Sequence, residues 1–259
     1  MPRLADGAPD YAAPAPRTAD GHPDLSGIWE SWSRSKPGRA EAQRLEAQAQ
    51  RVDSEARQRE DAPGTPPLAS FFDLGANIDG GLPYLDWARE LRDARVADGM
   101  KDNPDANCLP MGHMQLHMHP QPRKIVQLPH LIVMMWEGNG GMRQIFMDGR
   151  PLPDNDPQPW YYGYSIGHWE GDTLVVETTG FRDDVWLDVN GSPLTSKGRI
   201  TERFTRMSYG KMQIDVTIED PTAYSAPFTV RVEHGVMLDT ELIEFVCNEN
   251  EQSTQYFDP

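Results

Sequence analysis

The chain predicts a mainly β fold: an antiparallel β-barrel with an N-terminal arm and a helical insertion. Three observations carry that prediction. From residue 124 onward, apolar runs of strand length alternate with Gly, Asn and Asp turn signals. The stretch "MQIDVTI" puts Met212, Ile214, Val216 and Ile218 on one face and Gln213, Asp215 and Thr217 on the other. About eight or nine such strands hide their edges by closing into a barrel, whose interior holds side chains or one small ligand. A sandwich is the alternative. The 259 residues are read as an arm over 1–26 and one domain over 27–259, with the helical insertion at about 38–100.

Residues 1–26 are rich in Pro, Ala and Asp without periodicity, which predicts an extended surface arm. Strong helix formers over 38–61 carry almost no apolar stripe beyond Leu45 and Val52, so this segment predicts an exposed helix ended by "APGTPP". A second helix is expected in "PYLDWARELRDARVADGM", with Leu85, Trp87, Leu91 and Val96 near helical spacing and Asp86 as its cap. After it "KIVQLP" and "LIVMMWEGNGGMRQIFMDGR" read as a strand and a hairpin turning on Gly and Asn. "WYYGYSIGHWEGDTLVVETTG" repeats the design with a turn at Glu170-Gly171-Asp172. A third hairpin follows in "RITERFTRMSYGKMQIDVTIEDP", and a fourth is expected in "PFTVRVEHGVMLDTELIEFVCNEN".

The formal net charge of −16 repels a phosphate backbone, and no Lys/Arg block supplies a basic footprint, so nucleic acid is not an expected partner. The most apolar run, "HLIVMMWEG", is strand-sized and far short of a membrane span. The N-terminus lacks an apolar leader core. A periplasmic or secreted location follows if a signal peptide has been removed, and a cytoplasmic one otherwise. Cys108 and Cys247 permit one intramolecular bridge, which would persist in an oxidising compartment; two unrelated buried thiols are the other reading. The residues leave the oligomeric state open, including a homo-oligomer.

The segments "DLSGIWE" (24–30), "SIGHWEGDTLVVETTGF" (165–181), "TERF" (201–204) and "VTIEDPTAY" (216–224) resemble a large family of mostly secreted bacterial β-rich proteins. The likeness runs from about residue 17 to 250 and implies no particular reaction. The Gly-x-Trp of "SGIWE" is similar to the first-strand motif of lipocalin-type barrels, which makes the expected barrel lipocalin-like. Where family members often carry two histidines before the "ERF" strand, this chain has Leu194 and Arg199. The His/Met cluster at 113–119 is not general to that family.

Candidate chemistry starts from "MGHMQLHMHP". If helical, it sets His113 and His117 on one face at i and i+4; if extended, it aligns His113, His117 and His119. Paired imidazoles suit zinc, or copper with help from methionine sulfur, though no HExxH or CxxC supplies further ligands. A histidine titrating near neutrality also suits general acid–base catalysis. In "WYYGYSIGHW", Tyr162, Tyr164, Ile166 and His168 share a face and are expected inside. In "RITERFTR", Glu202 shares the face of Ile200 and Phe204, and Arg143 that of Ile145 and Met147. Glu202 and Arg143 are therefore either a structural pair within the barrel or a catalytic and anchoring pair.

No Walker loop, dinucleotide glycine motif or GxSxG elbow is present, which removes the usual marks of phosphoryl transfer and cofactor-dependent redox chemistry. The favoured reading is a lyase, isomerase or cyclase that uses no cofactor and acts on a small hydrophobic or aromatic molecule. His119, His168, Glu202 and Tyr164 are the candidate catalytic residues. Arg143, Tyr162, Trp136, Trp169 and Met114 are the candidate substrate contacts. The alternatives are a non-catalytic carrier using the same cavity and a zinc or copper protein using His113 and His117.

Overall fold

The computed structural model describes residues 1–31, 64–153, 158–247 and 249. The helix expected over 38–61 lies outside them. In chain order the barrel strands are β1 (Gly27–Ser31), β2 (Arg123–Leu128), β3 (Leu131–Trp136), β4 (Met142–Phe146), β5 (Tyr164–Glu170) and β6 (Thr173–Thr179). A small hairpin of β7 (Val185–Trp186) and β8 (Pro193–Leu194) stands apart from the barrel. The chain then returns to it as β9 (Arg199–Arg206), β10 (Lys211–Glu219) and β11 (Phe228–Met237). The order β1-β11-β10-β9-β6-β5-β4-β3-β2 closes because β1 pairs with both β11 and β2, so Trp29 sits between Val236 and Arg123.

The expected mainly β barrel is therefore the observed one, and side-chain alternation explains it. Met212, Ile214, Val216 and Ile218 of β10 are buried, as are Ile200, Glu202, Phe204 and Arg206 of β9. The three inner hairpins form where turn chemistry marks them: β3–β4 across Gly138–Gly140, β5–β6 across Gly171, and β9–β10. One seam departs from the antiparallel expectation. β4 and β5 run parallel, through Ile145 opposite Ser165 and Phe146 opposite Ile166, because the intervening residues carry the chain back to the end where β4 began.

The fourth hairpin is also corrected. β11 is a single long strand, and residues 238–247 after it form no strand, since β1 already occupies the edge that a returning strand would need. That trailing segment is tied down instead by a Cys108–Cys247 disulfide, with the Cα atoms 5.7 Å apart. Cys108 ends a 3-10 turn, Pro104–Asn107, in the left-handed conformation.

The N-terminal arm is a pair of closed turns rather than an extended run. Arg3 and Arg17 each donate to the carbonyl four residues on, at Gly7 and Gly21, within the matching segments "PRLADGAPD" and "PRTADGHPD". The second turn docks on the barrel through Arg17 and Asp172, and His22 stacks on Trp169 with ring centroids 4.7 Å apart.

Helix α1 (Asp86–Ala97) forms where expected, but its contact face differs. Its buried side chain is Ala88, whose small size allows close approach, while Trp87 and Val96 stay exposed. Leu85, not Asp86, holds the capping position. Asp86 lies in the first turn, where its charge complements the helix dipole. Among the described residues, no helix is long and apolar enough to cross a membrane.

Candidate functional site

"HMQLHM" resolves the open choice of conformation as a short helix, α2 (His113–Met118), every residue of which is buried. Gly112 opens it at φ 82°, and a Cβ there would come within 2.8 Å of Val185 Cγ1, so both backbone and packing call for glycine. At the other end Arg123 of β2 reaches over the exposed carbonyls. Its Nη1 donates to His117 O at 2.5 Å and its Nη2 to His119 O at 2.8 Å and Gln121 O at 3.2 Å. The helix is thus fixed against the barrel strands with His113 and His117 on one face.

That face meets Glu202. His117 Nε2 lies 2.7 Å from Glu202 Oε1, and His113 Nε2 lies 3.8 Å from Oε2. Arg143 of β4 grips the same carboxylate, donating to Oε1 at 3.0 Å and, from Nη2, to Oε2. Its remaining hydrogen bonds go to Ser165 Oγ at 2.9 Å and Thr178 Oγ1 at 2.7 Å. His234 of β11 closes the network, its Nε2 lying against Arg123 Nη1 and 2.9 Å from His117 O. Phe181 stacks on His113, and Phe204 and Trp136 stand edge-on to His117.

Burial governs the protonation states. It pushes His113 and His234 well below the usual imidazole range and His117 downward, so all three are neutral bases at pH 7. Burial also opposes the charge on Glu202, but the Arg143 guanidinium overrides it and, helped by both histidines, holds the carboxyl well below its ordinary range. Arg123 is depressed to about 9, again by burial, with Glu30 acting in the opposite direction. A neutral His117 beside an ionised Glu202 carries its proton on Nε2, and Nδ1 keeps its lone pair. His113 has a hydrogen bond to the Tyr162 backbone, which raises its basicity and assigns the Nδ1 proton to that carbonyl.

The chemistry this permits is specific. A carboxylate-oriented imidazole with a free second nitrogen can accept a proton and be stabilised as imidazolium. The ligand atoms of His113, His117 and Glu202 also lie within 4.8 Å of one another, so the group can hold a metal ion. A cation there would share Glu202 with Arg143.

The structure brings Glu202, Arg143, His113 and His117 together, with Met114 and Trp136 buried in the same interior. Tyr162 packs against Trp136, and burial pushes its phenol up to about 12. His119 lies just past α2, edge-on to Phe71, with Nδ1 accepting from Gln121 N at 3.3 Å. It stands outside the Glu202 cluster.

The inward face expected for Tyr164 and His168 is corrected. Ser165 and Gly167 point inward, because a Cβ at Gly167 would already lie 2.6 Å from Met147 Sδ, leaving no room for larger side chains. Tyr164 sits outside against Phe146, Trp160 and Arg150, and His168 is solvent-exposed beside Glu170. Trp169 is covered by His22 rather than facing the cluster.

Arg123, His234, Ser165 and Thr178 were not singled out by sequence reasoning. Alternation offered a signal for two of them, since Arg123 shares a face with Ile125 and His234 with Val230 and Val232. These features define a closed β-barrel protein with an Arg–Glu–His–His cluster held by a buried helix. No family model, curated protein or solved structure matches the chain.

Proposed function

We propose that the protein is an acid–base enzyme acting on a small molecule within the barrel, a lyase, isomerase or cyclase whose own side chains carry the proton. One observation carries this reading: His117 is bonded through Nε2 to Glu202 at 2.7 Å while its Nδ1 is buried with no hydrogen-bond partner in the protein. His117 Nδ1 takes the substrate proton, Glu202 stabilises the resulting imidazolium, and Arg143 keeps Glu202 ionised and in place. His113 is the second base. The signature "WEGDTLVVETTG" occupies the β5–β6 hairpin, whose Ser165 and Thr178 brace Arg143. The proposed family likeness thus falls on a segment that supports the site. The disulfide fits a periplasmic or secreted location.

Solvent-exchange NMR tests the proposal: a panel of small carbonyl compounds is incubated with the protein in D2O and the loss of C–H signal followed. Exchange is expected in the wild type and should fall roughly 100-fold or more in Glu202→Gln and His117→Gln. Absence of exchange across the panel, or exchange that survives both substitutions, would sink the assignment. A second reading, a zinc or copper protein, is favoured by the 4.8 Å clustering of His113, His117 and Glu202. Elemental analysis of protein prepared without chelator tests it; near-stoichiometric metal lost in a His113→Ala/His117→Ala variant would support it.

A further inference from the structure

The β7–β8 hairpin stands apart from the barrel, and its Trp186 faces helix α1 across an open groove of about 390 Å³. Small-molecule sites occupy about 300–1,000 Å³. Arg95, in the last turn of α1, is built into the groove wall. Its guanidinium lies over the Trp186 ring, 4.3 Å from the centroid, and Nη1 donates to Gly191 O at 2.6 Å. A Cβ on Gly191 would come within 2.5 Å of Arg95 Cδ, so the hairpin turn is shaped to the arginine stem. The side chain is thereby held in one orientation before any ligand arrives.

That orientation leaves one edge of the guanidinium to use. Nη1 is committed to Gly191, while Nε and Nη2, which share an edge, make no hydrogen bond among the described residues. Two parallel N–H groups of this kind match the two oxygens of a carboxylate. The protein supplies none there: Asp102 acts on Arg95 only through space, opposing the downward push that burial gives its pKa. Carboxylates instead stand at the rim. Asp98 is paired with Lys101 and Asp184 with Arg182, whereas Asp102 has no ion pair among the described residues. Leu91 and Leu109 add apolar wall.

A bare anion is repelled by that rim and by the chain's net charge of −16, and a bare cation by Arg95. A ligand carrying both charges complements both. We propose that this groove binds an α-amino acid with an apolar side chain: its carboxylate on the Nε–Nη2 edge of Arg95, its ammonium towards Asp102, and its side chain against Leu91 and Leu109. The site shares no residue with the Glu202 cluster and does not depend on its chemistry.

NMR titration of the isotope-labelled full chain, disulfide intact, tests the site with L-leucine, with N-acetyl-L-leucine, which lacks the ammonium, and with L-leucinamide, which lacks the carboxylate. Leucine is expected to bind at least about tenfold more tightly than either and to shift the Arg95 Nε–H resonance of the wild type. Arg95→Lys, which keeps the charge and removes the fork, should weaken leucine about tenfold. Asp102→Asn, at an exposed position, carries the test should Arg95→Lys fail to fold; it should weaken leucine about fivefold and narrow its advantage over N-acetyl-L-leucine by the same factor. No leucine binding at about 10 mM, binding of either derivative as tight as that of leucine, or a leucine affinity indifferent to Asp102→Asn overturns the proposal.

Discussion

Replacing Arg143 by methionine isolates the interaction on which the cluster depends. Arg143 is 2% exposed and Glu202 fully buried, so the pair sits in a low-dielectric interior. The substitution removes both contacts to Glu202 and leaves that carboxylate with His117 as its hydrogen-bonded partner. Ser165 and Thr178 lose the guanidinium but remain 3.0 Å apart and can satisfy each other, so their share of the loss is small. Stranding a buried charge costs about 3–5 kcal/mol. For a chain of this size that corresponds to a drop of roughly 10 °C in melting temperature.

Urea unfolding followed by tryptophan fluorescence, with the disulfide intact, measures the loss. The double variant Arg143→Met/Glu202→Met removes the stranded charge together with its partner. It should therefore be less destabilised than the sum of the single variants by about 2 kcal/mol or more. A loss below about 1 kcal/mol in Arg143→Met, or simple additivity in the double variant, would refute the argument that Arg143 holds Glu202.

Stability should also follow pH in a defined direction. His113, His117 and His234 are depressed on folding, so the unfolded chain takes up protons first; stability is full above about pH 6.5 and is lost below it, by up to about 1.4 kcal/mol per unit per histidine. Glu202 adds a second loss as pH falls from the unfolded carboxylate value through its own depressed value. Urea midpoints that stay flat from pH 7 to 5 would contradict this. Cys108→Ser/Cys247→Ser should lower stability by about 2–4 kcal/mol by freeing a loop with a sequence separation of 139, and reductant should bring the wild type to the variant's midpoint while leaving the variant unchanged. His168→Ala, which alters an exposed pair with Glu170, should change stability by less than about 0.5 kcal/mol and leave solvent exchange intact; a fall in exchange would return His168 to the site.

Hydrophobic alternation determined a great deal from sequence alone. The period-two pattern runs the whole length of β9 and the second half of β10, so it reported the inward face of Glu202 as reliably as that of Ile200 or Val216. The same logic served Arg143, and turn chemistry marked the three inner hairpins. The logic failed at β5, where both faces carry residues that can be buried. Whether Tyr164 or Ser165 points inward depends on the volume left by Met147 and Ile145, which a strand's own sequence does not contain.

Long-range pairing was decided by tertiary structure. No local pattern tells β11 to take β1 as its second neighbour, yet that choice closes the barrel and leaves residues 238–247 to the disulfide rather than to a hairpin. The histidine stretch shows the division most sharply. Its spacing put His113 and His117 on one face whether the stretch is helical or extended, and the structure made it a helix. Their position against a carboxylate 85 residues from His117 came from barrel closure, which brings β2, β4, β9 and β11 around one short buried helix. Spacing along a chain sets which way neighbouring side chains point, whereas the distance between remote ones is set by how the strands that carry them pair.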